Sequence, residues 1–91
     1  MKRFQVIGGQ YYFEWYGESD SLRGAKMIAS KHEEYLDNWQ GWHKPSIYLA
    51  SDCIKDDRYH CTIPDKYHGA KPVSVWDGKT WEDFSPVFGE I

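Results

Sequence analysis

A chain of 91 residues with a formal net charge of −3 makes one domain, spanning 1–91, with no room for a second core. Its longest basic run is Lys2-Arg3, so the clustered cations that drive duplex nucleic-acid binding are missing, and no apolar run approaches the length of a membrane span. The short apolar stretch after Met1-Lys-Arg is too brief for a signal peptide, which predicts a cytoplasmic protein with Cys53 and Cys61 reduced.

The chain opens on Phe4-Gln-Val-Ile7, Gly8-Gly9 and Gln10–Tyr16, which read as a β-hairpin with a two-residue glycine turn. That turn would pair Ile7 with Gln10, Val6 with Tyr11 and Phe4 with Phe13. Phe4, Val6, Tyr11, Phe13 and Trp15 would then share the core face. Gln5, Ile7, Gln10, Tyr12, Glu14 and Tyr16 would share the other, more polar face.

Ser19-Asp20-Ser21 supplies helix N-cap candidates, and from Leu22 the apolar spacing becomes helical. Leu22, Ala25, Ile28, Ala29, His32, Leu36 and Trp39 recur at steps of three and four. Gly24 weakens this helix by about 1 kcal/mol relative to alanine, and leaves room for a strand to approach closely. The helix is expected to end between Lys31 and Asn38, with Gly41 as a terminator and Pro45 forbidding continuation.

Ser46–Cys53 reads as a third strand. Residues 54–72 are polar, hold Pro64, Gly69 and Pro72, and read as a long loop with a short strand at His60–Ile63. Val73–Trp76 and Lys79–Glu82, joined by Asp77-Gly78, read as a second tight hairpin. Its register puts Val73, Val75 and Thr80 on one face and Ser74, Trp76, Lys79 and Trp81 on the other, so both faces are expected to be partly covered. The fold class is α+β: a small antiparallel sheet built from hairpins with one covering helix, in the order β-β-α-β-(β)-β-β. Sixteen aromatics give a chain this short enough apolar surface to fold without a disulfide or a metal.

Few residues carry a chemical signature. Cys53–His60 and Cys61–His68 echo each other over eight residues, and two thiols with two imidazoles make a tetrahedral zinc set. Zinc ligand pairs usually lie two to five residues apart, whereas each like pair here is eight apart, so a bound metal is not expected. His32-Glu33 begins like the helical zinc-hydrolase motif, but Leu36 stands where the second histidine is needed. No phosphate loop or activated-nucleophile motif accompanies the cysteines and histidines, so neither catalysis nor a cofactor is expected.

The aromatics are more informative. Trp39-Gln-Gly-Trp42 follows the helical pattern and precedes Pro45. Trp39 continues the apolar helix face and Trp42 lies beyond it. Tyr and Trp with an acidic rim suit a protein interface. The expected contacts are Trp42, Trp39, Tyr12, Tyr16, Asp52, Asp56 and Asp57, directed at a partner protein with a basic surface. The alternative is a single-stranded nucleic-acid or small-ligand binder that stacks rings on the sheet aromatics. The acidic balance disfavours the nucleic acid.

Tyr16–Lys26, Ala29-Ser-Lys31, Asp37–His43, Gln5–Gln10 and Pro72–Lys79 resemble a group of short reading frames from Gram-positive gut bacteria, their phages and mobile elements. The likeness covers most of the chain except roughly 54–71. The group has no assigned activity, so it transfers no functional residue. It implies a setting in which small acidic proteins inhibit host defence, as anti-CRISPR proteins do by occupying basic grooves of nucleases. The expectation is a non-enzymatic interaction module of this kind.

Overall fold

The computed structural model describes residues 1–9, 12–31, 43–56, 58, 61–76 and 80–84. Its strands are β1 (Phe4–Gly9), β2 (Glu14–Ser19), β3 (His43–Leu49), β4 (Cys53–Asp56), β5 (Cys61–Pro64), β6 (Ser74–Trp76) and β7 (Trp81–Asp83), with one helix, α1 (Leu22–Ser30). Five strands form an antiparallel sheet in the order β2-β1-β3-β6-β7, and β4 and β5 form a separate two-stranded ribbon. This is the α+β class that the hairpins and the helical spacing predict.

The sheet has two apolar faces because alternate residues of β1 and β3 are apolar on both sides. Phe4, Val6 and Ile47 point to one face and pack with Leu22, Ala25 and Ala29 of α1 and with Val73. Ile28, predicted on the same helix stripe, lies at the edge of that core. Each large apolar side chain fully buried there contributes about 1.5–3 kcal/mol. Ser21 caps the helix by accepting the Gly24 N–H at 3.0 Å. Gly24 does admit a close neighbour: a β-carbon there would collide with Ser19 Oγ at the end of β2. The predicted continuation through His32, Leu36 and Trp39 lies outside the described residues.

Ile7 and Tyr48 point to the other face and pack against Ala70, with Phe13 and Cys53 alongside. The covering layer comes from 53–70, the segment that the sequence reads as mostly loop. It is instead the β4–β5 ribbon, flanked by 3-10 turns at Ala50–Asp52 and Lys66–His68. The two turns are joined by the Asp65 N–H donating to the Asp52 carbonyl at 2.8 Å. The third strand is correspondingly His43–Leu49 rather than Ser46–Cys53. Pro45 sits inside β3 where the pairing to β1 shifts between Ser46 and His43, a position that needs no ladder N–H.

The first hairpin departs from the expected register. Gly8 and Gly9 belong to β1, and Gly8 pairs with Glu14, so the chain reverses beyond Gly9. Gly9 has φ +126°, and a β-carbon there would fall on the Tyr12 carbonyl oxygen. Ile7 pairs with Trp15 while Val6 pairs with Gly17, so β2 carries one extra residue at Tyr16. Trp15 therefore lies on the Gln5 and Ile7 face, and Tyr16 packs against the helix-side core. Both are reversed from expectation. The second hairpin pairs Trp76 with Trp81 and Ser74 with Asp83. That is two residues off the predicted register, which keeps Ser74, Trp76 and Trp81 on one face, but Val73, expected on the other face, packs in the same helix-side core as Trp81. The Trp76 and Trp81 rings lie 5.5 Å apart at 58°.

Candidate functional site

One concavity among the described residues is built around a buried amide. Gln5 is 1% exposed near the start of β1, and both ends of its side-chain amide are hydrogen-bonded. Its Nε2 donates to the Lys2 carbonyl at 2.7 Å and to Glu18 Oε1 at 3.1 Å. Its Oε1 accepts from Trp15 Nε1 at 2.9 Å. The indole N–H can only donate, so it fixes which end of the amide faces it.

Trp15 and Glu18 of β2 thereby form one wall of a cleft of about 640 Å³. Met1, with Lys55 and Asp56 of β4 and Cys61 and Thr62 of β5, also lines it. Glu18 also accepts the Lys2 backbone N–H at 2.7 Å. That bond, then the Gln5 amide, holds its carboxyl below the ordinary 4.5. Asp56 is paired with Arg58, with Nη2 to Oδ2 at 3.1 Å.

A second, smaller concavity of about 200 Å³ opens on the ribbon, lined by Phe13, Ile54, Asp56, Arg58, Pro64, Lys66 and Tyr67 among others. Large side chains are left in solvent around it: Tyr67 is 88% exposed and Ile54 is 38% exposed. Tyr12, next to Phe13, is 75% exposed.

The expected contact residues separate. Tyr12 is exposed, whereas Tyr16 is half-buried on the opposite side of the sheet, because the extra residue in β2 turns it inward. Asp52 and Asp56 are half-buried at the two ends of β4. Trp39, Trp42 and Asp57 lie outside the described residues. Of the zinc quartet, Cys53 and Cys61 are free thiols on facing strands but out of register, and His60 is outside the described residues. His68 Nδ1 contacts the Asp65 carboxylate. Among the described residues no three of His, Cys, Asp and Glu are grouped to hold a metal ion. Burial, then the charge of Asp52, pushes the Cys53 thiol up to about 12, which suppresses the thiolate needed for nucleophilic chemistry.

Gln5, Glu18, Lys55 and Thr62 are site residues that sequence reasoning missed. The available signal was Gln5 itself, a polar residue between two core positions of an apolar strand.

In comparisons with family models, with curated proteins and with solved structures, this chain has no match. Fold and geometry define it as a small α+β protein whose sheet is covered by a helix on one face and by a β-ribbon on the other. Among the described residues no helix is long and apolar enough to cross a membrane.

Proposed function

We propose that this protein is a non-enzymatic binding module that docks its ribbon face on a partner protein with a basic surface. The observation that carries this reading is the exposure of Tyr67 and Ile54 at the concavity lined by Phe13 and Pro64, with exposed Tyr12 adjoining Phe13 in sequence. Aromatic side chains in that setting supply large contact area at low entropic cost. The net charge of −3 favours a cationic partner. On this reading, and with the resemblance to proteins of phages and mobile elements, the module inhibits a host defence protein by covering a basic nucleic-acid groove.

Tagged protein passed over a lysate of a Gram-positive gut bacterium at low salt tests the proposal. Wild type is expected to retain one partner that elutes as salt rises, and a Tyr67→Ser, Ile54→Ser double variant is expected to lose it. Retention that is indifferent to both substitutions, or no retained partner at all, contradicts the proposal.

A further inference from the structure

The Trp15 cleft shares Asp56 with the ribbon concavity but differs from it in its other lining residues. We propose that it is a binding site for a guanine nucleotide, with the base stacked on Trp15, its N–H edge on Glu18 and its phosphate toward Lys55. This goes beyond the partner-docking reading and does not depend on it.

The amide at position 5 motivates the assignment. A polar group buried between Phe4 and Val6 is costly unless fully bonded, and an aliphatic residue would fill the position without that cost. The bonds of Gln5 do one thing in common: they fix an exposed aromatic and a carboxylate on the same wall. Trp15 has its only polar atom turned into the protein, so its 39% exposed surface offers the cleft a ring and nothing else. A flat heterocycle is the complement of such a plate, since every base has a π-face.

Glu18 selects the edge of that heterocycle. Both hydrogen bonds it receives land on Oε1, and Oε2 has none among the described residues. An ionised carboxylate only accepts, so the ligand must present N–H groups. Guanine carries adjacent N1–H and N2–H donors on its Watson–Crick edge. Adenine places an acceptor nitrogen beside its amino group, which the carboxylate repels.

The ribbon residues of the cleft supply charge of the other sign. Lys55 is exposed, forms no ion pair among the described residues, and lies opposite Thr62 across the ribbon. Asp56 of the same ribbon is neutralised by Arg58. An anionic group attached to the base would therefore meet a cation and a hydroxyl. The volume of about 640 Å³ is in the range of small-molecule sites. A guanine could come from a free nucleotide or from a single strand. The net charge of −3 disfavours a polyanion and favours the nucleotide.

Calorimetric titration of the intact protein with GMP, AMP, CMP and a guanine-containing single-stranded DNA pentamer tests this. GMP is expected to bind with one-to-one stoichiometry and at least about tenfold more tightly than AMP or CMP, since unpaired polar groups penalise the wrong base. Glu18→Gln and Trp15→Phe are each expected to weaken GMP about tenfold or more. Lys55→Ala, at an exposed position that cannot unfold the protein, is expected to weaken it severalfold. Tighter binding of the pentamer than of GMP supports the site and assigns its source to a strand. No GMP binding by wild type, equal binding of the three nucleotides, or GMP binding indifferent to Lys55→Ala and Glu18→Gln overturns the proposal. The Tyr67→Ser, Ile54→Ser variant, which tests partner docking, is expected to bind GMP as wild type does.

Discussion

The ring of Tyr16 lies directly over Gly8: a β-carbon at position 8 would stand 2.9 Å from both Cε2 and Oη of the tyrosine. The glycine is the space that lets the extra residue of β2 fold inward onto the core, which in turn sends Trp15 to the cleft side. Gly8→Ala is therefore expected to destabilise the protein by about 1–3 kcal/mol, the usual cost of overpacking. Tyr16→Leu should cost less in the Gly8→Ala background than in wild type. Denaturant unfolding of the four proteins of this cycle measures it, and strict additivity would mean that the two residues do not share the space.

Gln5→Leu separates the amide's role from simple filling. The substitution strands the Trp15 N–H, the Lys2 carbonyl and Glu18, and the expected loss is about 1–3 kcal/mol. Near-ultraviolet circular dichroism should lose the signal of a fixed Trp15. An unchanged spectrum with unchanged stability would show that the amide does not orient the indole.

The two hairpins show what could be read from the residues and what could not. Both were legible as hairpins, because alternation and glycine-bearing turns are local signals. The register was not, because Gly8-Gly9 has two physical uses, a tight reversal or close approach of a neighbour, and here the neighbours are Tyr16 and the Tyr12 carbonyl. In the first hairpin the difference is odd around Trp15, so its face is reversed. In the second the difference is two residues, and the faces of Trp76 and Trp81 survive. Of the ribbon, β5 was legible as the short strand expected at His60–Ile63, whereas β4 was hidden because Cys53–Asp56 is short, polar and follows directly on the segment read as the third strand. The cleft was hidden because it needs Trp15 and Glu18 from one hairpin and Lys55 and Thr62 from another.

Acid should weaken the fold through two carboxylates. Burial pushes Asp83 up, but the Ser74 hydroxyl at 2.6 Å and the Lys26 ammonium at 3.0 Å outweigh it and leave Asp83 below the ordinary 3.8. Glu18 is lowered by the Lys2 N–H and then by Gln5. A carboxylate with a depressed folded pKa adds stability above its unfolded value, and loses it as pH falls through the folded one. Stability is therefore expected to decline as pH falls through the ordinary carboxylate range and below it. Asp83→Asn and Glu18→Gln should be less stable than wild type at neutral pH and converge with it in acid. Parallel pH profiles for wild type and both variants would contradict this assignment.

Cys53 should be a slow thiol. In a Cys61→Ser variant, which leaves Cys53 alone, alkylation of the folded protein is expected to show no inflection near the free-cysteine value of about 8.5. The rate should keep rising toward the value of about 12 set by burial and by Asp52. Unfolding in denaturant should restore the ordinary profile. An inflection near 8.5 in the folded state would show that the thiol is not shielded.

Hydrogen exchange on the complex with the partner retained from a lysate tests the docking claim most directly. Added protection is expected in β4 and β5 and in the Lys66–His68 turn, where Ile54, Pro64 and Tyr67 frame the ribbon concavity. Protection confined to α1 and β7, with the ribbon exchanging as in the free protein, would contradict it.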